Sequence, residues 1–205
     1  MYTDSATQNN TLKTANIAIF ASGAGSNAKK IIGYFKNHPT ISIKLIVCNK
    51  LAAGVVDIAR EENIAVLMIE KEQFFRGNAY VDELEKAHID FIVLAGFLWK
   101  IPELLIQTYR NRIINIHPAL LPKFGGKGMY GSKVHEAVIA SGEKESGITI
   151  HYVDEHYDNG DVIFQAKCPV FITDTVGSLA ERIHALEHEN FAPVVEQCVN
   201  KMTHQ

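Results

Sequence analysis

The chain has 205 residues, 47% hydrophobic and 21% charged, with a net charge of −3, the composition of an ordinary globular protein. That balance offers no basic field for nucleic acid. No apolar run reaches the roughly 18 residues that a membrane-spanning helix needs.

The polar opening, Met1 to Asn10, has no apolar signal core, and residues 1–14 read as a disordered leader. Ala15–Ala21 is a short apolar run, expected to be a buried strand. Ser22-Gly23-Ala24-Gly25-Ser26 follows as a tight loop, and Asn27 to about Lys36 as a helix. The spacing then predicts a strand over Ile41–Cys48, a helix over Ala53–Glu62, a strand over Ala65–Ile69 and a helix over Tyr80–Lys86. Asp90–Ala95 is a fourth strand ended by Gly96, Pro102 is expected in the first turn of a helix, and Arg112–Ile116 is a fifth strand. Alternating strands and helices imply βαβ units and a parallel sheet.

The second half differs. Residues 117–131, with Gly125, Gly126, Gly128 and Gly131, carry no apolar period and read as a long functional loop. Ser132–Ser141 is predicted helical. Gly147–Val153 and Val162–Val170 are strand-like and joined through Asp158-Asn159-Gly160-Asp161, a turn signal that makes them antiparallel. A long helix over Thr175–Val199 closes the chain. No repeat or second domain boundary is visible, so residues 15–205 are expected to form one domain: an open, Rossmann-like, mostly parallel α/β sheet with an antiparallel C-terminal hairpin. Cys48, Cys168 and Cys198 are odd in number and lack C-x-x-C spacing, and Cys48 and Cys168, in apolar surroundings, read as reduced core thiols of a cytoplasmic protein.

The strongest chemical signal is Asn115-Ile116-His117-Pro118 at the end of the fifth strand. Residues two apart on a strand share a face, and ligands of open α/β sheets sit at the carboxyl ends of strands. Pro118 steers His117 away from helix. An amide can hold an oxyanion while the imidazole moves a proton, which suits carbonyl chemistry. A carboxylate usually orients such an imidazole; Asp154, Asp158 and Asp161 are candidates, and spacing alone does not separate them.

Gly23 to Asn27 opens a helix, and free N–H groups there suit a phosphate. Gly23-Ala24-Gly25-Ser26-Asn27-Ala28 also fits the dinucleotide pattern G-x-G-x-x-A. That pattern wants an acid near the end of the second strand. Residues 43–49 contain none, which argues against a nicotinamide cofactor. His184-Ala185-Leu186-Glu187-His188 fits the zinc pattern H-x-x-E-H. No third ligand accompanies it, so no metal is expected, and Glu187 can instead face the cleft and hold a substrate amine.

Together these residues resemble the folate-dependent phosphoribosylglycinamide formyltransferases of purine synthesis, over nearly the whole chain. The run Ile-Asn-Ile-His-Pro-Ala-Leu-Leu-Pro at 114–122 matches the family's signature, and Leu-Ala-Gly-Phe at 94–97 matches a second stretch. The resemblance implies Asn115, His117 and Asp158 as catalytic residues. It assigns the substrate phosphate to Gly25, Ser26 and Asn27, and the substrate amine to Glu187, with His184 beside it. It places the folate against Leu98, Trp99, Lys100 and Ile101 and the loop Asp154, Glu155, His156, Tyr157 and Asp158, with Asn115 at the formyl end. The family often has Met-Arg where this chain has Leu98-Trp99-Lys100. Arg76 lies one position from a folate-contacting arginine of some members. The implied partners are small molecules, glycinamide ribonucleotide and the co-substrate 10-formyltetrahydrofolate, acting on a monomer or homodimer. Formyl transfer to methionyl-tRNA, or formyltetrahydrofolate hydrolysis, shares the same three catalytic residues but normally uses further domains. A non-catalytic nucleotide- or folate-binding module is the remaining alternative.

Overall fold

The computed structural model describes residues 14–203; the expected leader lies outside them apart from Thr14. The chain begins with β1 (Ala15–Ala21), α1 (Ser26–Phe35), β2 (Ile41–Cys48), α2 (Gly54–Glu61) and β3 (Ala65–Met68). It continues through α3 (Lys71–Arg76), α4 (Ala79–Lys86), β4 (Phe91–Leu94), α5 (Glu103–Thr108) and β5 (Ile113–His117). It ends with α6 (Ser132–Ala140), β6 (Glu145–Tyr152), β7 (Val162–Pro169) and α7 (Val176–Thr203). The strands form one 7-stranded sheet in the order β3-β2-β1-β4-β5-β6-β7. Pairing is parallel from β3 to β5 and antiparallel from β5 to β7.

Strand β1 is apolar on both sides because both faces of the sheet are covered. Ile17, Ile19 and Ala21 join the core under α1, α2 and α7, which includes Phe191 and Val195. Ala18 and Phe20 join the opposite core with Phe74, Leu84 and Leu105 of α3, α4 and α5. Along β5, Ile113 lies in that second core while Ile114 and Ile116 lie in the first. Asn115 and His117 therefore project on the face shared with Ile113.

The order reverses between β1 and β4: the chain runs outward to β3, then returns to β4 on the other side of β1. At this switch point two strand-end loops are stitched together. Ser22 N–H donates to the Gly96 carbonyl at 3.1 Å, and Leu98 N–H donates to Ser22 Oγ at 3.1 Å. A crevice opens there.

Several boundaries differ from expectation. Helix α3 was not signalled by periodicity; its Phe74 is buried against Phe97 at 5.8 Å and Trp99 at 5.7 Å, so tertiary packing makes the helix. Pro102 precedes the first helical residue, with its carbonyl accepting from Ile106 N–H at 3.1 Å. Helix α7 runs through Pro193 to Thr203, beyond the expected end at Val199. Asn159-Gly160 is not a two-residue hairpin turn. Residues 153–161 connect β6 and β7, and Asp158 within them has φ 53°. The extra length carries Asp158 back over the end of β5.

Candidate active site

A cavity of about 1020 Å³ fills the crevice, lined by the loops after β1, β4 and β5, the 153–161 connection and one side of α7. His117 sits in its floor, 3% exposed. Its Nε2 lies 2.8 Å from the Phe124 carbonyl oxygen. A carbonyl only accepts, so Nε2 carries a hydrogen and Nδ1 faces Asp158 Oδ2 at 3.5 Å. Among the three aspartates, the fold thus selects Asp158. Asp154 caps its own loop, accepting from His156 N–H at 2.8 Å and from Asn159 Nδ2 at 3.2 Å, while Asp161 is not part of the cavity lining.

The segment Phe124 to Gly126 braces both members of the pair. Phe124 holds His117, and Gly126 N–H donates to Asp158 Oδ2 at 2.9 Å. Gly125 between them cannot carry a side chain without conflict, since a Cβ would lie 2.5 Å from Leu121 Cδ2 and 3.3 Å from Asp158 Cβ. Burial pushes the His117 imidazole below its usual range, opposed by the Asp158 charge. Burial is also the largest influence on Asp158 and pushes its carboxyl up. His151, His117 and the Gly126 N–H together outweigh it, and the group ends below its ordinary value.

Asn115 lies two residues before His117 and opposite His151 in β6. His151 Nδ1 is 2.7 Å from the Tyr152 carbonyl oxygen, so it donates there, leaving Nε2 to accept from Asn115 Nδ2 at 3.1 Å. One N–H of the Asn115 amide is thereby used and the other is available to a ligand. His151 Nε2 also lies 3.7 Å from Asp158 Oδ1.

At the other end, Gly25 precedes α1 with φ 81°, and no side chain caps the helix. The first N–H groups of α1 consequently lack intrahelical partners, and Gly25, Ser26 and Asn27 line the cavity. A Cβ at Gly25 would lie 2.8 Å from Val55 Cβ and 2.9 Å from Val55 Cα, so the loop can seat on α2 only because this residue is glycine. Asn27 Nδ2 donates to Glu187 Oε2 at 3.0 Å, and the same oxygen takes His184 Nδ1 at 3.0 Å. Glu187 is 5% exposed. The Glu187 hydrogen bond raises the His184 imidazole above its usual range, with burial opposing. His184 is thus committed to Glu187, and its ring stacks on His188 at 6.3 Å. Among the described residues no group of three or more His, Cys, Asp or Glu side chains is placed to hold a metal ion.

Of the residues singled out in the sequence, Gly25, Ser26, Asn27, Leu98, Trp99, Lys100, Ile101, Asn115, His117, Asp154, His156, Tyr157, Asp158, His184 and Glu187 all line this one cavity. Glu155 belongs to the same loop but is not part of the lining. Arg76 does not reach the cavity: it pairs with Glu72 at 2.7 Å on the exposed side of α3. Sequence reasoning missed Phe124, Gly126 and Ser22, which act through backbone or a short hydroxyl, and it assigned no role to His151. The period-two polar positions Thr149 and His151, alternating with Ile148 and Ile150, were the available signal. His135, 4% exposed, also lines the cavity, and its Nδ1 has no partner among the described residues.

Comparison with known proteins gives a consistent result. A phosphoribosylglycinamide formyltransferase of Bacillus subtilis is 36% identical over 185 residues, covering 88% of this chain and 92% of its own length. A chloroplastic phosphoribosylglycinamide formyltransferase of Vigna unguiculata is 44% identical over 193 residues, 91% of this chain; the match spans 61% of the Vigna protein. The crystal structure of glycinamide ribonucleotide transformylase 1 from Geobacillus kaustophilus superposes with a TM-score of 0.81 at 34% identity, covering 89% of this chain and 97% of that one. Residues 15–195 match the formyl transferase family, and with the cleft and its Asn115, His117 and Asp158 in place, the chain belongs to that family.

Proposed function

We propose that the protein transfers the formyl group of 10-formyltetrahydrofolate to the amine of glycinamide ribonucleotide, giving formylglycinamide ribonucleotide and tetrahydrofolate. The observation that carries this reading is the placement of Asn115, His117 and Asp158 between an uncapped helix N-terminus and an aromatic-lined wall, all within one cavity. The N-terminus suits the ribose phosphate, and the wall formed by Leu98 to Ile101 and the Asp154–Asp158 loop suits the flat folate. Glu187, buried and already partnered through Oε2, offers Oε1 to the amine.

In this scheme the phosphate contacts at Gly25 to Asn27 hold the amine at attack distance. The amine nitrogen bonds to the formyl carbon, and negative charge collects on the formyl oxygen. The free N–H of Asn115 donates to that oxygen. The proton lost by the amine passes through the His117–Asp158 pair to the folate nitrogen as the carbon–nitrogen bond to folate breaks. The buried free thiols Cys48, Cys168 and Cys198 suit a reducing compartment, and the cytoplasm is the site proposed.

The test is direct. Pure protein is given 10-formyltetrahydrofolate with glycinamide ribonucleotide, with methionyl-tRNA, or with no acceptor, and folate product is followed by absorbance. Turnover with the ribonucleotide alone is expected. Equal turnover without acceptor would make the protein a hydrolase, and binding without turnover would make it a non-catalytic module.

A further inference from the structure

We propose that Thr149 and Gln165 are positioning residues that fix the His117 imidazole from behind. They touch no substrate. In the β5–β6 ladder His117 pairs with Thr149, and in the β6–β7 ladder Thr149 pairs with Gln165. The three side chains therefore form a row on one face of the sheet, the face that carries Asn115 and His151.

The Thr149 hydroxyl and the Gln165 amide nitrogen each have named destinations. The Thr149 hydroxyl donates to the Ala119 carbonyl at 2.7 Å, and it accepts from Leu121 N–H at 3.0 Å and from Gln165 Nε2 at 2.9 Å. A hydroxyl has one hydrogen and two lone pairs, so this one is fully used, and Thr149 is 0% exposed. The second N–H of Gln165 goes to the Leu121 carbonyl at 3.0 Å. Both backbone groups of Leu121 are thus gripped by side chains of β6 and β7.

What they grip is the turn that returns to His117. The chain leaves β5 at His117, passes Ala119 and Leu121, and comes back so that the Phe124 carbonyl meets His117 Nε2 at 2.8 Å. Two residues on, Gly126 N–H reaches Asp158. Releasing Ala119 and Leu121 would let the Phe124 carbonyl move, and with it the ring that Asp158 must face. A displacement of about 1 Å at a reacting group can cost on the order of 10²-fold in rate. The phosphate contacts at Gly25 to Asn27 and the folate wall at Leu98 to Ile101 lie on other loops, and only the Asp158 end of the second folate wall touches the released segment, so the effect should fall mainly on kcat.

The kinetic part rests on the formyl transfer proposed above; the structural part does not. Thr149→Val keeps the shape and removes the hydroxyl, Gln165→Met keeps the length and removes the amide, and Thr149→Ser restores the hydroxyl. The expected result for Thr149→Val and Gln165→Met is a kcat reduced about 10- to 100-fold with KM for both substrates within about twofold. The His117 imidazole resonance, assigned in ¹⁵N-histidine-labelled protein against His117→Gln, should shift in both, and Thr149→Ser should restore rate and resonance. A folded Thr149→Val or Gln165→Met with unaltered kcat and an unmoved His117 resonance overturns the proposal. Gln165 lies on the edge strand, so it supplies the test if Thr149→Val fails to fold. Were the wild-type protein inactive on glycinamide ribonucleotide, the functional reading would fall while the resonance still decides the positioning role.

Discussion

Asn115 and His151 face each other across the β5–β6 ladder, and the amide nitrogen of one meets the imidazole nitrogen of the other at 3.1 Å. This bond fixes which end of the amide looks into the cleft. Asn115→Ala should therefore lower kcat by roughly 10²–10³, the cost of one oxyanion donor, with KM little changed. Steady-state kinetics on both substrates will check this, and near-normal turnover would remove Asn115 from the chemistry.

The His117–Asp158 pair makes a prediction about titration. Burial holds His117 below its ordinary value, and the Asp158 charge is what pulls it back up. Asp158→Asn removes that pull. The midpoint of the His117 imidazole, read by NMR, should move to lower pH, and turnover should fall by about 10²–10⁴. A midpoint that rises or stays fixed would contradict the assigned coupling.

His184 offers a linkage test. Its folded-state pKa is raised above 6.5 by the bond to Glu187. The stabilisation from this bond is then fully present below pH 6.5 and is lost as pH rises through the folded value. The Tm difference between wild type and His184→Gln should be largest in acid and shrink toward alkaline pH in thermal melts. A difference independent of pH would mean that the bond carries no charge.

Gly25→Ala should act on one substrate. The new Cβ would be placed 2.9 Å from Val55 Cα at a φ of 81°, so the loop must lift from α2. KM for the phosphorylated acceptor should rise about tenfold or more while KM for the folate stays within about twofold. Parallel titration of the two substrates separates this from general unfolding.

Arg76 and Trp99 should behave oppositely. Arg76 is exposed and paired with Glu72, so Arg76→Ala is expected to leave folate KM unchanged and to cost at most about 1 kcal/mol of stability. Trp99 lines the cavity and rests on Phe74 and Phe75. Trp99→Ala should raise folate KM several-fold, measured by initial rates or equilibrium binding.

Most of the fold was legible because its strands are apolar on both faces and its loops carry glycine. Strands β1 and β2 were read to the residue. Helix α3 was not, since six residues held by one buried phenylalanine leave no periodic trace. Asn115 and His117 were legible because they are polar side chains breaking an apolar strand. Asp158 was legible only through family resemblance, because three aspartates share its loop and the choice depends on where a long connection folds back. The Phe124 carbonyl and Gly126 N–H were invisible, as backbone groups have no letter in a sequence.

Strand β5 has a parallel neighbour on one side and an antiparallel neighbour on the other. Asn115 and His117 therefore rest against regular strand on the β6 side, while the proposed phosphate wall is the loop after β1 and the proposed folate wall joins the loop after β4 to the 153–161 connection. Loops tolerate insertion and exchange far better than strand ladders do. The same chemical floor could accept new rims, so a lineage with the proposed activity could change its acceptor by altering the length of the loop after β1 without rebuilding Asn115 and His117.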